Sequence, residues 1–85
     1  MVHDPSIDIT YPCTWGYTVI GPCEASLHEA IAAIAGEAEH SVERGNTSRS
    51  GRYVSLRLSV VVTSNRQRQG IHRALGRHPE VRMVL

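Results

Sequence analysis

Two cysteines, five histidines and nine arginines are the residues of this 85-residue chain whose types could carry chemistry. The cysteines, Cys13 and Cys23, form no Cys-x-x-Cys pair. The histidines, at positions 3, 28, 40, 72 and 78, include no two spaced four apart on one helix and none with a cysteine at zinc-site spacing. Metal ligation therefore has no local motif. No Ser-His-Asp or Cys-His grouping and no glycine-rich phosphate loop can be assembled from neighbouring residues. The expectation is a non-enzymatic chain with no catalytic residue, no metal and no cofactor. Arg44, Arg49 and Arg52 gather around a polar stretch at 47–51. A guanidinium can grip a carboxylate or phosphate through two parallel hydrogen bonds, so this cluster could meet an anion or an acidic partner. Its plainer reading is a solvated loop.

The bulk properties narrow the classes further. All nine basic residues are arginine, and eight acids nearly cancel them to a net charge of +1. Such a balance creates no general field for polyanions, so nucleic-acid binding would need a local patch and is not expected. No apolar run approaches the ~18 residues of a membrane span. Residues 1–5 lack the basic and apolar blocks of a signal peptide, and a cytoplasmic location is expected. Without a secretory signal, the acceptor-like Asn46-Thr47-Ser48 carries no glycosylation meaning. A chain of this size buries roughly 60–65% of its unfolded surface, which is enough for one small core and no second domain.

Positioning these residues requires elements, and the plainest is a strand. Every even position from Val54 to Val62 is a branched aliphatic, while Tyr53, Ser55, Arg57 and Ser59 hold odd positions. A period of two marks a strand with one buried and one wet face, and hence an antiparallel sheet. Trp15 to Ile20, rich in aromatic and β-branched residues and stopped by Gly21-Pro22, predicts a first strand. If residues 14–20 are extended, Cys13 and Cys23 stand ~20 Å apart. A disulfide needs Cα atoms within roughly 7 Å, so both thiols are expected to be free.

Over 24–40 the period changes. Leu27, Ala30, Ile31, Ile34, Ala35 and Ala38 form one stripe at helical spacing, with Ser26 and Glu29 as a capping box and Gly36 inside the helix. A short strand around Val42 and the 47–51 loop lead into the strong strand. Ser64 with Gln67 then caps a second helix carrying Ile71, Ala74 and Leu75, which Gly76 and Pro79 end. A last strand follows, with Val81, Met83 and Leu85 assigned to the core face. The order β-α-β-β-α-β predicts an α+β ferredoxin-like plait. Its four-stranded antiparallel sheet carries both helices on one face, and its first and third strands are central. Residues 1–10 read as a flexible leader and residues 11–85 as the single domain.

Tyr11-Pro12-Cys13, Tyr17-Thr18-Val19-Ile20-Gly21 and the run Val81-Arg82-Met83-Val84-Leu85 resemble the YbeD-like family of small bacterial proteins, a domain of unknown function. The resemblance covers roughly residues 11–85. It implies a ferredoxin-like domain similar in shape to ACT-type regulatory domains, which bind small effectors at dimer interfaces. It brings no catalytic residue with it. Gly36 within the expected helix departs from the pattern and bears on local helix stability.

Functions hosted by plaits can each be tested against these residues. A metallochaperone needs two thiols after the first strand, and only Cys23 is there. Acylphosphatase chemistry needs an arginine in that loop, and Gly21-Pro22-Cys23-Glu24 has none. RNA recognition needs aromatics on the open face, where Tyr53 stands alone. Cys23 reads most simply as a half-buried cysteine. The sharper alternative is a thiol whose pKa the helix start lowers, opposed by Glu24.

The leading expectation is a regulatory, ligand-sensing module of ACT-like type. It would be a homodimer binding a small effector near Gly21, Cys23 and Glu24. The alternative is a protein-protein interaction adaptor using an edge strand or the open face, where Ile20, Tyr53, Arg57, Arg82 and Val84 are expected.

Overall fold

The computed structural model describes residues 9–45 and 51–85. Most of the expected leader, and residues 46–50, which include most of the expected 47–51 loop, lie outside the described residues. The elements run β1 (Cys13–Gly21), α1 (Glu24–Ala35), β2 (His40–Arg44), β3 (Val54–Val62), α2 (Asn65–Arg77) and β4 (Met83–Val84). The strands form one antiparallel sheet in the order β2-β3-β1-β4, so the two longest strands are central, as the plait requires. Cys13 and Cys23 are both free.

β1 and β3 pair without interruption from Cys13↔Val62 to Gly21↔Val54. Leu56, Leu58, Val60 and Val62 are buried, as their alternation predicts, and Val54 packs against them. Residues directly opposite in an antiparallel pair share a face, so Tyr17 and Val19 enter the core with Leu58 and Leu56. Leu27, Ala30, Ile31 and Ala35 of α1, with Ile71 and Leu75 of α2, close over this face. Burying each leucine or isoleucine contributes about 1.5–3 kcal/mol, and this apolar layer is what holds both helices to the sheet.

Three local features differ from expectation. α1 stops at Ala35, and Gly36 is its C-terminal cap with φ 57, donating its N–H to the Ala32 carbonyl. The glycine is therefore not a weak point inside the helix. It supplies the positive φ with which helices commonly end. The N-cap of α1 is Cys23 rather than Ser26. In α2 the expected cap forms: Ser64 Oγ accepts from the Gln67 N–H at 3.0 Å, while Gln67 Oε1 accepts from the N–H and hydroxyl of Thr63.

The third difference concerns the last strand. Its residues were expected to alternate from Val81, with Val84 on the open face and Met83 and Leu85 in the core. Instead Val84 registers with Val19 and packs against the core, while Met83 registers with Ile20. Arg82 also donates its N–H to the Ile20 carbonyl, at 2.7 Å. Two residues thus oppose one, which is the arrangement of a β-bulge, and the bulge shifts the alternation by one. Val81 and Val84 both reach the helix side, and Arg82 and Met83 lie exposed between them.

Gly21 leaves no room for a side chain. A Cβ there would stand 2.5 Å from the Glu80 carbonyl oxygen and 2.7 Å from Leu27 Cδ2. Gly21→Ala is expected to destabilise the domain by about 1–3 kcal/mol through overpacking, read as a lower urea midpoint with an unchanged slope. Gly36→Ala, strained by its positive φ but free of clash, is expected to cost about 1 kcal/mol in the same measurement.

Candidate functional site

The open sheet face can be built row by row from the pairings. Glu43 stands opposite Arg57, Arg57 opposite Thr18, and Thr18 exchanges both backbone hydrogen bonds with Leu85, at 2.9 and 3.0 Å. The neighbouring row runs Ser55, Ile20, Met83. Met83 is 51% exposed and Leu85 68%, and they are the exposed large hydrophobics among the described residues. With Ile20 they form an apolar block across β1 and the last strand, bordered by Thr18 and Arg57. The expected residues Ile20 and Arg57 are on this face. Val84 is not, and Met83 and Leu85 take its place. Counting alternation could not find them, because the bulge at Arg82 has no compositional mark.

Tyr53 and Arg82 meet at the end of the sheet. They line a pocket of about 330 Å³ with Pro22, Pro79, Glu80 and Val81. This pocket adjoins the loop where an effector site was expected, but the three expected residues do not line it. Gly21 is buried, and the space over it is filled by Leu27 and the Glu80 backbone. Glu24 sits in the first turn of α1 and pairs with Arg44 at 3.2 Å. Both partners are well exposed, so this pair contributes little to stability. It engages Arg44, one member of the expected arginine cluster, of which Arg49 lies outside the described residues.

Cys23 is exposed, not half-buried. The Ser26 hydroxyl, followed by the Ser26 and Ala25 N–H groups, holds its thiol below the ordinary cysteine value. The carboxylate opposing this shift is Glu80 rather than Glu24.

A separate cleft of about 320 Å³ opens between α2 and the first half of β1, lined by Trp15, Tyr17, Arg68, Gln69, His72 and Arg73. The Arg68 guanidinium lies 4.5 Å from the centre of the Trp15 ring, and its Nε donates to the Tyr11 hydroxyl at 3.2 Å. The Tyr17 hydroxyl donates to the Arg68 carbonyl at 2.7 Å. Burial, only partly offset by Arg68, raises the pKa of the Tyr17 phenol, which keeps it a protonated donor. Sequence reasoning missed this cluster. The available signal was Trp15 and Tyr17 at strand spacing, with Arg68 and His72 at i, i+4 on a helix.

Cys23 is expected to react with iodoacetamide faster than the half-buried Cys13 at neutral pH. Its rate should rise through an inflection below that of an ordinary cysteine, since a lowered pKa leaves more thiolate at a given pH. Ser26→Ala should move that inflection upward, as checked by mass spectrometry across a pH series.

Against known proteins, the family model described as "Protein of unknown function (DUF493)" matches residues 7–85. "Uncharacterized protein Cj0253" of Campylobacter jejuni is 36% identical over 63 residues, covering 74% of this chain and 72% of that protein. A UPF0250 protein of Leptothrix cholodnii is 35% identical over 82 residues, covering 91% and 89%. The solution structure of HP0495 from Helicobacter pylori superposes with a TM-score of 0.77 at 26% identity, covering 100% of this chain and 98% of that one. Fold, length and sequence agree along almost the whole domain: the chain belongs to the DUF493 family of small bacterial proteins of unknown function, the UPF0250 or YbeD-like group.

Proposed function

We propose that the chain is a non-enzymatic cytoplasmic interaction module that associates with a second copy of itself through the open face of its sheet. The observation carrying this reading is the apolar block in which half-buried Ile20 adjoins exposed Met83 and Leu85. Isolated exposed apolar residues need no explanation, but contiguous ones favour burial against a partner. The surroundings suit a second copy because they carry both signs of charge, with Glu43 facing Arg57 across β2 and β3 and Arg82 beside Met83. A two-fold operation can then lay apolar block on apolar block and set acidic rim against basic rim. Sedimentation at about 0.1 mM should give twice the 9.4 kDa chain mass. Met83→Asp combined with Leu85→Asp should give the single-chain mass with unchanged circular dichroism. A wild-type chain that sediments as a monomer at that concentration would overturn the reading.

A second reading keeps the effector sensing that the ACT-type resemblance implies, moved from Gly21, Cys23 and Glu24 to the neighbouring pocket at Pro22, Tyr53 and Arg82. The pocket's volume and its arginine support it. A metabolite that raises the melting temperature of the wild type, but not of Arg82→Ala, is the expected result, since a ligand stabilises the fold it binds. If a panel of amino acids, lipoyl compounds and nucleotides raises neither, this reading fails. RNA binding ranks below both, because Trp15 and Tyr17 face the helix side and leave the open face poor in stacking surfaces.

A further inference from the structure

We propose that the cleft between α2 and β1 is a binding site for a small organic anion, a carboxylate or phosphate carried on a planar apolar group. This site is distinct from the open face and from the pocket at Arg82. Three independent features point the same way.

The first is charge. α2 carries Arg66, Arg68, Arg73 and Arg77 and no acidic residue, and no carboxylate lines the cleft. Among the described residues neither His72 nor Arg73 makes an ion pair. Their donors are therefore available to an incoming oxyanion, and arginine matches carboxylate and phosphate geometry in particular.

The second is shape and chemistry. The volume of about 320 Å³ falls at the small end of ligand pockets, which combine apolar walls with a few convergent polar groups. Trp15 and Tyr17 supply the wall here, and Gln69, His72 and Arg73 supply the polar rim.

The third is order. Arg68 is held from three sides: its guanidinium against Trp15, its Nε to Tyr11 and its terminal nitrogen to Asn65. The Tyr17 hydroxyl anchors the backbone of the same residue. A prearranged arginine on an aromatic ring loses little freedom when an anion arrives, and its charge is already partly stripped of water.

The arginines of α2 provide an internal control. Arg66, Arg73 and Arg77 are spaced so that they lie within about 40° of one another at 100° per residue. Arg73 lines the cleft and Arg77 does not, although the two carry the same charge. Binding by the cleft must therefore distinguish them, whereas attraction to a diffuse positive surface would not.

Trp15 is the single tryptophan of the chain, so its fluorescence reads the cleft directly. Benzoate and phenyl phosphate are the probes, with acetate as the anion lacking a ring and benzamide as the ring lacking a charge. The expected result is a saturable change in Trp15 emission with benzoate or phenyl phosphate, at a Kd of about 1 mM or tighter, and none with either control. Saturation by benzoate alone assigns the site to carboxylates, and by phenyl phosphate alone to phosphates. Arg73→Ala and His72→Ala should each weaken binding by roughly tenfold or more, the worth of a charge-assisted hydrogen bond, with melting temperatures close to wild type. Arg77→Ala should change it by less than about twofold, as a screened surface charge does. The proposal is overturned if neither probe saturates, if acetate or benzamide binds as well, or if Arg77→Ala weakens binding as much as Arg73→Ala.

Discussion

The continuous antiparallel pairing of β1 with β3 is the constraint on which everything else in this domain depends. Side chains alternate with a period of two, so a slip of one residue would turn Tyr17 and Val19 to water and bring Thr18 and Ile20 inward. The register from Cys13↔Val62 to Gly21↔Val54 prevents that slip by placing apolar against apolar on the helix side. Both helices then have one continuous surface to cover. The edge strands, His40–Arg44 and Met83–Val84, are shorter and take their register from these two. The same pairing defines the opposite face, where Arg57, Thr18 and Leu85 fall in one row because their backbone partners do.

Charge is distributed much less evenly than its sum suggests. A net +1 describes a chain whose second helix holds four arginines and no acid, while its first helix holds Glu24 and Glu29 and no arginine. The helices lie side by side on the sheet, so the helix side of the domain has a cationic and an anionic half. Total charge governs the field at long range, but within a Debye length of about 10 Å the local groups decide what is attracted. The cleft beside Trp15 lies in the cationic half.

The family match brings no activity with it, and the likeness to HP0495 adds the fold. A shared fold does not fix a function, so what is distinctive about this chain lies in its surfaces. Three surfaces emerge with different chemistry: an apolar block on the open face, a polar pocket at the sheet end around Tyr53 and Arg82, and an aromatic-arginine cleft under α2. The expected effector residues show why geometry matters. Gly21 is where it is because Leu27 and the Glu80 backbone press against it, and Glu24 is engaged with Arg44.

The sequence by itself determined the element order, the buried stripe of each helix, the inward face of the strong strand, the cap at Ser64 and the central places of the first and third strands. All of these follow from the local periods of the backbone, two for a strand and 3.6 for a helix, together with the sterics of short connections. Only the tertiary structure decided that a bulge at Arg82 would bury Val84 and expose Met83 and Leu85, because a bulge arises from how one strand meets its neighbour. Likewise, only the fold brought Trp15 beside Arg68 and Tyr53 beside Arg82. Residues far apart in the chain leave no mark of their contact in composition or spacing, and the chemistry of their meeting exists only once the strands have paired and α2 has packed against β1.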